Sequence, residues 1–287
     1  MPDVQTVGAA IAAATERLKQ ADVAETPRLD AILLLEQASG IDANRLRLDP
    51  AVPLTSAVVA AFGALLQRRL AHEPVSKIVG FREFWSLSFR TGRDVLDPRP
   101  DSETLVAGVL AAIADKSAPL RLVDFGTGSG CLLLSLLHEL PNATGLGVDL
   151  SPAALAIARD NAGRLGLAAR AEFREGNWGQ GLAGAFDVLM SNPPYIESAV
   201  VPTLEPEVAQ YDPVLALDGG PDGLDAYRRL APDLARLAAP AAVVALEVGQ
   251  GQDAAVSGLL AAAGFSGLSA LADLGGIRRV VVGRKAA

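Results

Sequence analysis

Along the first 73 residues apolar side chains recur at helical spacing, and no stretch alternates as a half-buried strand would. Residues 4–19 carry one such stripe. Thr26 followed by Pro27 reads as an N-cap and a first helical position, opening a helix over 28–39. Thr55 opens a third over 55–70. Together these predict a small helical domain over residues 1–73. Residues 74–100 change character. Phe84, Trp85, Leu87 and Phe89 form a strand-like stretch, and Gly92 suggests a turn into residues 94–96. The reading is a β-hairpin linker whose exit Pro98 and Pro100 stiffen. From residue 101 the period switches back and forth. Helical patterns cover 101–115, 130–140, 152–165, 223–237 and 250–263. Apolar runs of strand length cover 120–125, 145–149, 170–174, 186–191 and 241–247, with two shorter ones near 267–271 and 278–282. Repeated strand–helix units require a mostly parallel sheet covered on both faces. Residues 101–287 therefore predict a doubly wound α/β domain with seven strands, the last two antiparallel across a short turn.

Composition narrows this picture. Half of the 287 residues are hydrophobic, enough for a large core, but no apolar run reaches the roughly 18 residues that span a bilayer. Residues 1–20 are amphipathic, with Glu16, Arg17 and Lys19, which is unlike a signal peptide. A single cysteine, Cys131, permits no intrachain disulfide and no cysteine-based metal site. With His72 and His138 the only histidines, a histidine-rich metal site is excluded as well. A cytoplasmic enzyme without a metal is the simplest reading. The net charge of −8 arises entirely after residue 90. Proteins that grip phosphate backbones carry a basic face; none is visible here.

Three motifs carry chemistry. Gly126-Thr127-Gly128-Ser129-Gly130 follows an apolar strand and opens a helix. Glycines there let the chain turn tightly and let a nucleoside ligand approach the backbone. The spacing is one residue tighter than the dinucleotide-binding Gly-x-Gly-x-x-Gly, which argues against a nicotinamide oxidoreductase. Asp149 ends the next strand about twenty residues later, where an acid commonly takes ribose hydroxyls. Ser151 suits the N-cap of the following helix better than Asp149 does. Asn192-Pro193-Pro194-Tyr195 lies at the C-terminal end of strand 186–191, the sheet edge where open α/β folds bind ligands. Two prolines remove two N–H donors, so the local carbonyls act only as acceptors. Asn192 adds a side-chain acceptor and Tyr195 a flat face. Such a site suits a planar NH2 group held by both hydrogens.

These residues resemble the class I S-adenosylmethionine-dependent methyltransferases of amino groups, and more narrowly the HemK/PrmC family of release-factor glutamine-N5 methyltransferases. Further stretches are similar to that family: Arg82-Glu83-Phe84-Trp85-Ser86-Leu87, Val95-Leu96-Asp97-Pro98-Arg99-Pro100, Asp218-Gly219-Gly220 and Leu246-Glu247-Val248-Gly249-Gln250. Two positions depart from it. Asn177 precedes Trp178 where the family has an aspartate, and Asp97 stands where an apolar residue is common. The resemblance implies that residues 126–130, Asp149, Trp178 and Asn192 hold S-adenosyl-L-methionine. It implies that Asn192, Pro193, Pro194 and Tyr195 hold a glutamine amide of a peptide chain release factor. Asn192, Pro193 and Tyr195 would serve catalysis, and the leading helices would dock the protein substrate. An adenine-N6 methyltransferase is the alternative, since adenine also presents a planar NH2. That reading calls for a basic track and stacking aromatics, whereas this chain is acidic with 5% aromatic residues.

Overall fold

A computed structural model describes residues 5–286, which divide into two compact units. The first is helical: α1 (Val7–Ala21), α2 (Pro27–Ser39), α3 (Ala43–Leu48), α4 (Ser56–Leu70) and α5 (Val75–Val79). Val4, where the first predicted helix begins, lies outside the described residues. Side-chain caps explain most of the helix starts. Thr6 accepts from the Ala9 amide, Asp42 from those of Asn44 and Arg45, and Thr55 from that of Val58. At α2 the start rests on Pro27 instead, because Thr26 makes no capping bond. The core is an apolar cluster including Leu18, Ala31, Leu34, Leu35, Phe62 and Leu66.

Two corrections fall in the segment read as a hairpin linker. Its start, residues 75–79, is the helix α5, and the helical unit runs on to Phe81. The hairpin itself pairs β1 (Phe81–Phe84) with β2 (Leu87–Arg90), so its turn is Trp85 and Ser86 rather than Gly92. Both turn residues have positive φ, 52° and 56°, as a two-residue turn matched to strand twist requires. Residues 94–96 form no strand. Asp97 is buried and accepts a hydrogen bond from the Thr91 hydroxyl, so the polar substitution is satisfied locally.

The second unit holds α6 (Glu103–Ala112), β3 (Arg121–Phe125), α7 (Cys131–Glu139), β4 (Thr144–Asp149), α8 (Pro152–Arg164), β5 (Ala171–Glu175) and β6 (Phe186–Ser191). Next in the chain comes a short helix, α9 (Pro206–Ala209), which is part of the helical unit. The second unit resumes with α10 (Asp225–Leu237), β7 (Ala238–Glu247), α11 (Asp253–Ala262), β8 (Phe265–Ala272) and β9 (Arg278–Lys285). The seven strands order as β5-β4-β3-β6-β7-β9-β8. Five are parallel, and β9 runs antiparallel to both β7 and β8. Strand alternation divides the core in two. Leu122, Val188, Met190 and Ala245 pack against α6, α7 and α8. Val123, Phe125, Leu189 and Val244 pack against α10 and α11. β3 has β4 on one side and β6 on the other, so the chain reverses its winding there. Open α/β sheets bind ligands at such a switch point, beyond the carboxyl ends of the strands. Among the described residues no helix is long and apolar enough to cross a membrane.

Candidate active site

The glycine loop leaves β3 with Gly126, Gly128 and Gly130 all at positive φ, 71°, 55° and 80°. Backbone hydrogen bonds from Gly126 and Thr127 to the Val148 carbonyl tie it to β4. The Asp149 carboxylate completes the tie. One oxygen accepts from the Gly128 amide at 2.8 Å and the other from Ser151 at 2.9 Å. Ser151 caps α8 through its own hydroxyl, as expected from its position. Each Asp149 oxygen retains acceptor capacity.

The glycines are not equivalent. A Cβ on Gly128 would meet no side chain within 4 Å. A Cβ on Gly130 would lie 3.2–3.5 Å from Leu134, Ala158 and Phe173, so this glycine faces the core and serves packing. Asp124, inside the same motif, was not singled out from the sequence. It is 1% exposed, and one carboxylate oxygen accepts from the Thr127 hydroxyl at 2.7 Å. The other oxygen and the Ser129 hydroxyl have no hydrogen-bond partner among the described residues. Burial pushes the Asp124 carboxyl up to about 7, against the Thr127 hydrogen bond and with help from the Asp149 charge.

Across the switch point, the Ser191 hydroxyl donates to the Phe125 carbonyl at 2.6 Å and locks the end of β6 to β3. Asn192 follows at once, and its Nδ2 donates to the Ser102 hydroxyl at 3.3 Å. Gly126, Thr127, Gly128, Ser129, Asp149, Asn177, Trp178, Asn192 and Pro194 all line one cavity of about 860 Å³. Val214 and Leu215 stand exposed on its wall. Pro193 is buried, Tyr195 packs against the apolar core, and neither lines the cavity. The Tyr195 carbonyl accepts from Gln252 at 3.0 Å. Its phenol is pushed up to about 12, chiefly by burial and next by the Glu247 charge, so it stays neutral. A Cβ on Gly219 would come within 2.8 Å of the Pro194 carbonyl oxygen and the Tyr195 Cα. Gly219 and Gly223 thus let that segment lie directly against the Pro-Pro-Tyr backbone. Glu247, at the end of β7, is the second acid missed from the sequence. It is 2% exposed, and burial pushes it up to about 7.

Comparison with known proteins gives the family. A PrmC N-terminal domain model matches residues 9–80, and a methyltransferase small domain model matches residues 103–208. The release factor glutamine methyltransferase of Rhodospirillum rubrum is 47% identical over 271 residues, 94% of this chain and 82% of that protein. The chain belongs to the release factor glutamine methyltransferase family. The family member of Caulobacter vibrioides is 44% identical over 274 residues, 95% of this chain and 94% of its own length. A solved methyltransferase structure from Pyrococcus furiosus shares the fold, with a TM-score of 0.53 at 18% identity over 70% of this chain and 90% of that one. Membership makes this chain a methyltransferase.

Proposed function

We propose that the chain transfers a methyl group from S-adenosyl-L-methionine to the side-chain amide nitrogen (N5) of a glutamine in a peptide chain release factor, and that it acts in the cytoplasm. One observation carries the reading. The glycine loop and Asn192 open into the same cavity, with the locked ends of β3 and β6 fixing their spacing. The residues present suit the cofactor. The Gly126 and Gly128 backbone lies bare on the cavity wall, and Asp149 beside it has acceptor capacity for a diol. When bound, S-adenosyl-L-methionine supplies an electrophilic methyl on a sulfonium. The chain needs no nucleophile of its own. The Asn192 carbonyl and a backbone carbonyl of the Pro193-Pro194 pair, of which Pro194 lines the cavity, accept the two amide hydrogens and stabilise positive charge developing on nitrogen. Tyr195, neutral throughout, packs into the core behind the clamp and holds the clamp backbone in place through the bond from Gln252 to its carbonyl. The helical unit docks the protein substrate. Incubation with purified release factor, followed by peptide mass mapping, tests the reading. A single methyl on a glutamine is expected; methyl found on nucleic acid instead rejects it.

A further inference from the structure

Asn192 poses a problem that its shape does not solve. A primary amide is nearly symmetric, so its two flips fit the same space, and only hydrogen-bond partners decide which atom faces the cavity. Substrate NH2 needs the carbonyl there. Ser102 does not decide the matter, because a hydroxyl both donates and accepts. Glu247 does. Its strand β7 pairs with β6, Leu246 opposite Ser191, which brings Glu247 beside Asn192. Ser102 and Asn192, themselves joined by a hydrogen bond, both favour the ionised form of the Glu247 carboxylate. Its backbone carbonyl is held by the Tyr227 hydroxyl at 2.8 Å. An ionised carboxylate only accepts, so it demands the NH2 end of Asn192. A buried carboxylate with an oxygen that has no hydrogen-bond partner among the described residues is costly for stability, which leaves its use at the site as its reason.

We propose that Glu247, with Ser102, is a positioning residue that orients the Asn192 amide so its carbonyl oxygen faces the cavity. The proposal rests on the glutamine reading but makes a claim about Asn192 that needs no substrate to test. Protonated Glu247 gains a donor and tolerates the flipped amide. Orientation is therefore coupled to one proton, and burial places that titration near 7. The groups around Glu247 are Ser102 and Asp101 before α6, Cys131 on α7, Tyr195, Tyr227 on α10 and Arg279 on β9. Arg279 favours the ionised form and Asp101 opposes it.

The experiment follows the Asn192 side-chain NH2 resonance of the full chain by ¹⁵N NMR, identified by its loss in Asn192→Ala, as pH is raised through about 7. In wild type the resonance should titrate with a midpoint near 7; in Glu247→Gln it should not move. Turnover at saturating cofactor and release factor should fall about tenfold in Glu247→Gln, the weight of one hydrogen bond, and lose its acid limb. Cofactor affinity should stay within about threefold, since Glu247 is outside the cavity wall. Ser102→Ala is the second variant and should lower turnover with the acid limb retained. A wild-type resonance indifferent to pH, or an acid limb that persists in Glu247→Gln, overturns the proposal. Failure of the glutamine reading is distinguishable: wild type would then leave release factor unmethylated while the resonance still reports on Glu247.

Discussion

Asn192 and Asp149 sit at the ends of two strands, and each acts through a few lone pairs. For Asn192→Ala, turnover should fall at least about a hundredfold, the usual loss when one transition-state hydrogen bond is removed. Cofactor affinity should stay within about tenfold, because the side chain meets the reacting nitrogen. Single-turnover rates beside calorimetric affinities separate the two; near-normal turnover would remove the amide clamp. Asp149→Ala strikes the cofactor instead. It deletes the acceptor for the Gly128 and Ser151 amides as well as any diol contact. Cofactor binding should weaken by about 1.5–3 kcal/mol, the range for hydrogen bonds to a charged group; equal calorimetric affinities would sink that assignment. Both residues were legible in the sequence because a polar residue ends an apolar strand beside glycine or proline. Asp124 and Glu247 carry a fainter form of the same signal, an acid within Leu122-Val123-Asp124-Phe125 and one closing a run that ends Ala245-Leu246. Near a strand end an acid reads as solvated. Only the packing of α7, α10 and β9 around them makes them buried.

Among the elements, the long ones were readable and the short ones were not. The parallel strands and the helices between them follow from apolar period, because most bury a full face; β5 at the sheet edge buries only Phe173. α3 and α5 have 6 and 5 residues, too few for a periodic stripe to repeat. The hairpin turn was misplaced because Gly92 carries the conventional turn signal, while Trp85 and Ser86, the residues at positive φ, are not the glycine, asparagine or aspartate that such a turn favours. What holds them there is tertiary. The Trp85 amide donates to Glu103 and its indole to Glu139, and Phe84 meets Phe89 edge-on. The glycine loop yields a test at this scale. Alanine at Gly128 or Gly130 meets the same left-handed strain, about 1–2 kcal/mol. Only at Gly130 does the new methyl also press on Leu134, Ala158 and Phe173. Gly130→Ala should therefore destabilise the fold more than Gly128→Ala, by roughly a further 1–3 kcal/mol from overpacking. Gly128→Ala should cost more in cofactor affinity, since its Cβ points into open space at the cavity. Thermal melts and titration of both variants check the pair; matched losses would mean the loop acts only as a turn.

In the whole molecule, sequence period gives no hint that residues 206–211 return to the helical unit. There Glu207 pairs with the buried Arg69 at 2.7 Å and the Tyr211 carbonyl accepts from Lys77. Nor does it show that Asp124 and Glu247, in the second unit, are buried where a carboxyl holds its proton to about 7. Those acids set how stability responds to pH. Asp124 and Glu247 rise from ordinary values of 3.8 and 4.5 to about 7, both chiefly by burial. Between those limits the folded chain keeps protons that the unfolded chain has released, so stability falls as pH rises. The favourable contribution is complete below about 4 and gone above about 7, at up to about 1.4 kcal/mol per pH unit for each group. Acids held low, such as Asp222 at about 2 beside Arg228, lose their stabilisation only on the acid side, outside this window. General repulsion in a chain of net charge −8 also grows with pH, with the same sign. Variants separate the two causes. Asp124→Asn keeps an acceptor for the Thr127 hydroxyl, and Glu247→Gln keeps its size and one acceptor oxygen. Without cofactor, the wild-type melting temperature should drop from pH about 5 to about 8. Each single variant should shrink the drop, and the double variant should retain only the shallow slope of general charge. If the double variant falls as steeply as wild type, the buried acids do not titrate in this window and the repulsion of the whole surface accounts for the slope.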